Sequence, residues 1–183
     1  LSEASYPAAY QDQIVDALMH YESLTCVRFK QRSTEQAYLR FRSDREECVA
    51  QLGYAGPSTP VDINLHPNKC QFGAIVHEIG HSLGLLHTMA RKDRDEYILL
   101  DYTRIAGGAA NRQYQKMDES GCTPPACDPA KYLDPNPYDY GSIMHYAAVD
   151  AETGGTAIHA PRAVGEGYGL SSYDVSEGNF MYN

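Results

Sequence analysis

Residues 77–87 read HEIGHSLGLLH and hold three of the seven histidines in the chain. His77 and His81 are four residues apart, so on a helix their imidazoles project from one face and can share a metal ion. Imidazole nitrogen is a good ligand for Zn²⁺. Glu78 lies about 100° around the helix axis from His77, where it flanks the metal without binding it. We therefore predict that Glu78 is the general base for a zinc-bound water.

A third ligand is predicted just beyond this helix. Gly84 follows His81 by three residues, and glycine tolerates the positive φ with which many helices end. The chain can then turn back and present His87 from outside the helix. Three histidines leave one tetrahedral position for water, which is the arrangement of a catalytic zinc site. The alternative, a packing helix with chance histidines, accounts poorly for three histidines, a glutamate and a glycine at these offsets.

The extended pattern H-E-x-x-H-x-x-G-x-x-H is that of the metzincin peptidases, which also need a methionine-containing turn beneath the zinc ligands. Residues 142–146, SIMHY, supply Met144 for that turn. A thioether is apolar and polarisable, and so forms a suitable floor for imidazole rings. Taken alone, Met144 would be read as a core residue. Together with the zinc motif upstream, it is predicted to form the methionine turn.

Three helices are predicted to surround or carry these residues. Residues 8–24 place apolar side chains three and four apart, which predicts an amphipathic helix. The zinc helix is predicted to begin near Gln71. Residues 170–182 begin with a serine N-cap candidate and predict a short closing helix. The apolar positions of the first helix are Ile14, Val15, Leu18, Met19 and Tyr21.

Alternating apolar and polar residues predict a small sheet in the first seventy residues. Residues 25–32 and 37–43 alternate with period two, and a third short strand is expected at 61–66. Between them, the Gly- and Pro-rich residues 53–60 indicate a loop. Residues 120–142 carry five of the ten prolines and are predicted to be an irregular surface segment. We therefore expect an α+β domain with a mostly antiparallel N-terminal sheet.

Composition excludes some classes of partner. The chain has 183 residues, enough for one domain with a core. Its formal net charge of −9 argues against nucleic acid and anionic membranes, because both attract clustered Lys and Arg. No apolar run approaches the roughly 18–20 residues that cross a bilayer. We expect no nucleic acid partner and no membrane span.

The five cysteines indicate disulfides. None of them forms a C-x-x-C pair, so a structural zinc ribbon is not expected. Scattered cysteines in a domain of this size favour an oxidising compartment, and we predict a secreted, extracellular protein. An odd number leaves at least one cysteine without a partner inside the chain. The five are Cys26, Cys48, Cys70, Cys122 and Cys127.

The chain resembles the astacin family of zinc metallopeptidases over nearly its whole length. The resemblance rests on the zinc motif and on TCVRF, RKDRDEYI, PYDYGSIMHY and LSSYDV. It implies one catalytic domain over 1–183 with a zincin-like α+β fold, in which two subdomains flank an active-site cleft. The N-terminal subdomain, about 1–87, would hold a twisted sheet and helices. The C-terminal subdomain, about 88–183, would be largely irregular and end in a helix.

The resemblance also implies roles for single residues. His77, His81 and His87 match the family's ligands for one Zn²⁺, and Glu78 matches its catalytic base. Tyr146 matches a tyrosine that ligates zinc in the resting enzyme and stabilises the oxyanion when substrate is bound, roles compatible with a phenol. The implied function is a zinc-dependent endopeptidase acting on protein or peptide substrates. Two alternatives are a catalytically silent, zinc-stabilised binding module of the same fold and a zinc hydrolase of small molecules.

The cysteines and one substitution are also interpreted from the resemblance. Cys48 and Cys70 match a family disulfide, while Cys26 matches a cysteine whose partner would lie near a C-terminus beyond this chain. Cys122 and Cys127 have no family counterpart and are predicted to pair with each other. Thr88 stands where the family usually has a glutamate that engages the N-terminal ammonium of the mature enzyme. Threonine cannot supply that negative charge.

Overall fold

The computed structural model describes residues 6–108, 111–117, 136–165 and 167–182. Its contacts divide the chain into two compact units. The first unit comprises Leu1–Leu86 and Tyr168–Asn183, and the second comprises His87–Gly167. The closing helix thus groups with the N-terminal residues, and the subdomain bounds of about 1–87 and 88–183 stay a prediction. No helix in the described ranges is long and apolar enough to span a bilayer.

The first unit combines three helices with a three-stranded sheet. β3 lies in the middle of the sheet, paired in parallel with β1 and antiparallel with β2. The sheet is therefore mixed rather than mostly antiparallel, because the chain passes through an edge strand that was not predicted, β2, before it enters the centre. The elements are α1 (Ala8–Leu24), β1 (Leu39–Arg42), β2 (Cys48–Ala50), β3 (Val61–Leu65), α2 (Phe72–Leu83) and α3 (Ser172–Tyr182).

Helix α1 packs on the region that leads into α2. Its buried face consists of Tyr10, Ile14, Ala17 and Tyr21. The hydroxyl of Tyr21 donates to the carbonyl of Val76 at 2.9 Å, so tyrosine supplies both apolar area and a satisfied polar tip. The helix is confirmed, but two members of its predicted apolar set are wrong. Val15 is 41% exposed and Met19 is 59% exposed, because the buried face runs through positions 10, 14, 17 and 21.

The strand predicted over residues 25–32 is absent, and this segment is irregular. Side chains take the hydrogen bonds that a neighbouring strand would have made. The amide of Phe29 donates to the Glu22 carboxylate at 2.6 Å, and Arg28 donates to the carbonyl of Thr25 at 2.7 Å. Period-two alternation indicates a half-buried extended chain, but it does not supply a pairing partner.

Helix α3 begins at a reciprocal cap. The Ser171 hydroxyl accepts the amide of Asp174 at 3.0 Å, and the Asp174 carboxylate accepts the amide of Ser171 at 2.9 Å. This arrangement is a capping box and confirms the predicted closing helix. At its other end, the Tyr182 hydroxyl donates to the carbonyl of Leu83 at 2.7 Å, which holds α3 near the end of α2.

The second unit is built from short elements around its own core. Within its described residues, β4 (Leu99–Leu100) pairs antiparallel with β5 (Ile158–His159), and 3₁₀ turns of three residues occupy other positions. This agrees with the irregular structure that the sequence predicts. The predicted irregular segment 120–142 falls largely outside the described residues. The core contains Met89, Ile98, Ile105, Tyr114, Tyr138, Ala157, Ile158 and Val164.

Candidate metal centre

Helix α2 has an apolar inner face and carries two histidines on another face. Ile75, Val76 and Ile79 are fully buried and fix the helix in the core. His77 and His81 remain partly accessible. Their ring centroids are 4.6 Å apart, with the planes at 89°. The i, i+4 spacing thus places the two imidazoles side by side, as the sequence requires for a shared ion.

The end of α2 orients the second imidazole. Gly84 has φ +104°, and the amides of Leu85 and Gly84 donate to the carbonyls of Gly80 and His81, each at 2.9 Å. This is the Schellman pattern that glycine permits. It brings the Leu85 carbonyl to 2.8 Å from Nδ1 of His81. Because a carbonyl only accepts, Nδ1 carries the proton and Nε2 keeps its lone pair for a metal.

The stretch 77–87 gathers three imidazoles. One ligand nitrogen from each of His77, His81 and His87 lies within 4.8 Å of the others. Burial, followed by the charge of His77, lowers the pKa of His81 to about 4, so this ring is neutral at pH 7. Neutral imidazoles are the form that binds metal, and three of them suit Zn²⁺ with one position left for water. The donor set therefore fits zinc.

Glu78 lies on the same helix with an unsatisfied carboxyl oxygen. The residue is 6% exposed, and its Oε2 is buried without a hydrogen-bond partner in the described parts of the chain. Burial raises the pKa of Glu78 to about 7, and a hydrogen bond with the Ala50 backbone opposes that rise. An orphaned buried oxygen needs an explanation. A water or substrate proton at this oxygen would supply one, and Ala50 shows that β2 helps to orient the carboxyl group.

The predicted methionine turn lies in the second unit. Met144 is 2% exposed. Its amide donates to the Ser142 hydroxyl at 3.0 Å, and its carbonyl accepts the amide of Thr88 at 3.2 Å. Since Thr88 directly follows His87, this hydrogen bond joins the methionine turn to the segment of the third histidine. Thr88 is itself buried, at 8% exposure, and here its backbone contributes to the site.

Tyr146 contacts the third histidine. The ring centroids of Tyr146 and His87 are 4.3 Å apart, with the planes tilted by 54°. The Tyr146 carbonyl accepts from Nδ1 of buried His145 at 2.8 Å, and Nε2 of His145 lies 2.9 Å from the Tyr138 hydroxyl. Sequence reasoning took His145 as a structural group and did not find this support. The short spacing of the three residues in PYDYGSIMHY was the available signal.

The cysteines are placed in part. Cys48 and Cys70 form a disulfide across a sequence separation of 22, as the resemblance implied, and it fastens β2 to the residue before the α2 cap. Cys26 is exposed and has a free thiol. Cys122 and Cys127 lie outside the described residues, so their pairing stays a prediction.

Known proteins are similar to this chain over most of its length. Residues 2–183 match the family model of the astacin peptidases. Nematocyst expressed protein 6 of Nematostella vectensis is 33% identical over 91% of this chain and 56% of its own length. The astacin-like metalloendopeptidase of Coturnix japonica is 32% identical over 99% of this chain and 42% of its own length. This chain thus spans about half the length of these curated relatives.

A solved structure gives the same result for the fold. High choriolytic enzyme 1 of Oryzias latipes, a hatching enzyme zinc-protease, superposes with a TM-score of 0.82 at 27% identity. The match covers 98% of this chain and 86% of that chain. The predicted family, the metzincin-like α+β fold and the enzyme class are confirmed. The chain belongs to the astacin family of zinc metalloendopeptidases.

Proposed function

We propose that this chain is a zinc-dependent endopeptidase domain in which His77, His81 and His87 hold one Zn²⁺. The observation that carries the proposal is the gathering of the three imidazole nitrogens within 4.8 Å. Beside them, on the same helix, Glu78 keeps a buried oxygen without a partner. Membership of the astacin family supports the same activity.

Each step of peptide hydrolysis has a residue suited to it. When bound, zinc supplies a Lewis acid that polarises the scissile carbonyl and makes water acidic near pH 7. Glu78 takes a proton from the attacking water and passes it to the leaving amine, so one carboxyl group serves as base and then as acid. Burial and the Ala50 backbone keep this carboxyl in place.

The second unit contributes the remaining groups. The Tyr146 hydroxyl donates a hydrogen bond to the substrate oxygen on which negative charge develops. In the resting protein the same phenol oxygen is a further ligand for the metal. Met144 forms the apolar floor and, through its carbonyl, fixes the backbone next to His87. Gly84 sets the turn that allows His87 to meet the other two ligands.

The substrates are proteins or peptides, and the compartment is extracellular. The Cys48–Cys70 disulfide supports an oxidising environment, and the net charge of −9 gives no support for a nucleic acid partner. We also propose that Cys122 pairs with Cys127, and that Cys26 pairs with a cysteine of a longer natural chain. Because Thr88 bears no charge, an N-terminal ammonium has no carboxylate to meet at that position.

The test is the substitution Glu78→Gln, which keeps the size of the side chain and removes its basicity. We expect the zinc content to stay at one ion per chain and cleavage of a denatured protein to fall by a factor of about 10²–10⁴. Glu96→Gln, at an exposed glutamate in the second unit, is the matched control and should cleave like the wild type. Full activity of the Glu78 variant would refute the role of Glu78. A folded, zinc-loaded wild type without activity would indicate the silent binding module.

A further inference from the structure

The ring of Tyr146 is packed between two other rings in the second unit. On one side is His87, at a centroid distance of 4.3 Å. On the other is Tyr114, at 5.5 Å with the planes at 76°, which is an edge-to-face aromatic contact. Tyr146 is half-buried, whereas Tyr114 is only 4% exposed. A buried ring therefore contacts the ring that is proposed to meet substrate.

The backbone of Tyr114 is fixed by a buried arginine. Arg94 is 2% exposed, and its Nη1 donates to the carbonyl of Tyr114 and to that of Met89 at 2.7 Å. Met89 lies two residues after His87. One guanidinium group thus links the backbone of Tyr114 to the segment that presents the third histidine, through charge-assisted hydrogen bonds.

The side chain of Tyr114 is fixed at its far end as well. Its hydroxyl donates to Oδ2 of Asp150 at 3.3 Å, while Oδ1 of Asp150 accepts the amides of Glu152 at 3.1 Å and Thr153 at 2.9 Å. The backbone hydrogen bond from Thr153 lowers the pKa of Asp150, so the carboxylate stays charged and remains an acceptor. With backbone and hydroxyl both held, the Tyr114 ring is a rigid wall.

We propose that Tyr114 is a positioning residue for Tyr146: it holds the Tyr146 ring against His87, so that the Tyr146 hydroxyl is aimed at the substrate oxygen. This inference rests on the role given to Tyr146 in the proposed function. It assigns to Tyr114 an effect on turnover that passes through Tyr146. A purely structural core residue would instead act on the fold as a whole.

The experiment uses the zinc-loaded chain with Tyr114 changed to Leu, Met or Phe. Leu and Met remove the ring edge, and Met also fills an irregular space if Leu fails to fold. From the size of aromatic pair contacts, we expect kcat to fall roughly 3- to 10-fold with KM within about twofold. Phe keeps the ring and should retain more than about half of kcat. Tyr10→Leu, at a buried tyrosine of the first unit that donates to the Cys70 carbonyl, is the control and should lower Tm without changing kcat.

A double-mutant cycle separates the two kinds of role. In a Tyr146→Phe background, Tyr114→Leu should change kcat by less than about twofold, because the hydroxyl that Tyr114 positions is absent. The same 3- to 10-fold loss in that background would overturn the proposal.

NMR of ring-¹³C-labelled tyrosine gives a readout that does not depend on activity. The Tyr146 resonance, assigned by its loss in Tyr146→Phe, should move in Tyr114→Leu and not in Tyr10→Leu. An unmoved resonance would overturn the positioning role even in an inactive protein. If Tyr146→Phe alone leaves kcat unchanged, the proposed function of Tyr146 fails instead, and the NMR result still decides on Tyr114.

Discussion

Replacing Gly84 by alanine should weaken zinc binding by more than it weakens the fold. Gly84 has φ +104°, and a Cβ built there would meet only the Met181 sulfur, at 3.9 Å, an ordinary contact. The cost therefore comes from the left-handed backbone and is about 1–2 kcal/mol. For a protein of this size, that lowers Tm by about 2–8 °C.

The larger effect should fall on the metal. The turn at Gly84 places the Leu85 carbonyl on Nδ1 of His81 at 2.8 Å and directs the chain to His87. Disturbing such a supporting hydrogen bond typically weakens metal binding 10- to 100-fold. We expect the Kd for zinc, measured by competition with a chromogenic chelator, to rise about tenfold in Gly84→Ala. Gly84→Asn should show a smaller loss, because asparagine tolerates this conformation.

Gly56 provides a matched control for this prediction. It also has a positive φ, +121°, and a Cβ there would meet nothing within 4 Å. Gly56→Ala should therefore lower the Tm of the zinc-free protein by a similar amount while the Kd for zinc stays within about twofold of wild type. If both alanine variants have the same Kd for zinc, the turn at Gly84 does not organise the metal site and the reasoning is refuted.

Two further predictions concern stability. Replacing both Cys48 and Cys70 by alanine opens a loop with a sequence separation of 22 and should lower the free energy of unfolding in urea by about 3 kcal/mol; a change below about 1 kcal/mol would contradict this. Arg40 binds Asp62 through two hydrogen bonds, at 2.6 and 2.9 Å, and the Arg40 hydrogen bond lowers the pKa of Asp62 from its ordinary 3.8. Such a pair stabilises the fold above pH 3.8 and loses its effect as the pH falls further, so Arg40→Met should cost about 0.5–1 kcal/mol at pH 7 and nothing once Asp62 is protonated. A cost independent of pH would argue against the pair.

The sequence predicted the features that depend on local spacing. Helix α2, its glycine end and the side-by-side placement of His77 and His81 follow from a period of 3.6 residues and from the conformational freedom of glycine. The apolar spacing of α1 was equally readable, although its buried face runs through Tyr10 and Ala17, so Met19 faces solvent. Only packing decides which of two adjacent apolar stripes is buried.

The features that depend on distant partners were not predicted. The alternation in residues 25–32 suggested a strand, but the amide of Phe29 donates to a glutamate side chain of α1. β2 is three residues long and has no pattern of its own, yet its Ala50 backbone meets Glu78. Tyr114 is separated from Tyr146 by 32 residues of sequence, and nothing in its local context marks it as a neighbour of the site.

The most direct test of the proposed zinc centre is a zinc titration of the stripped domain. The protein is freed of metal with a chelator, Zn²⁺ is added back in fractions of an equivalent, and cleavage of a denatured protein is followed. We expect no activity without zinc and a linear recovery that breaks at one equivalent per chain. The variant His87→Ala should show no recovery at these concentrations. Activity that survives stripping, or full recovery in the His87 variant, would contradict a catalytic zinc held by the three histidines.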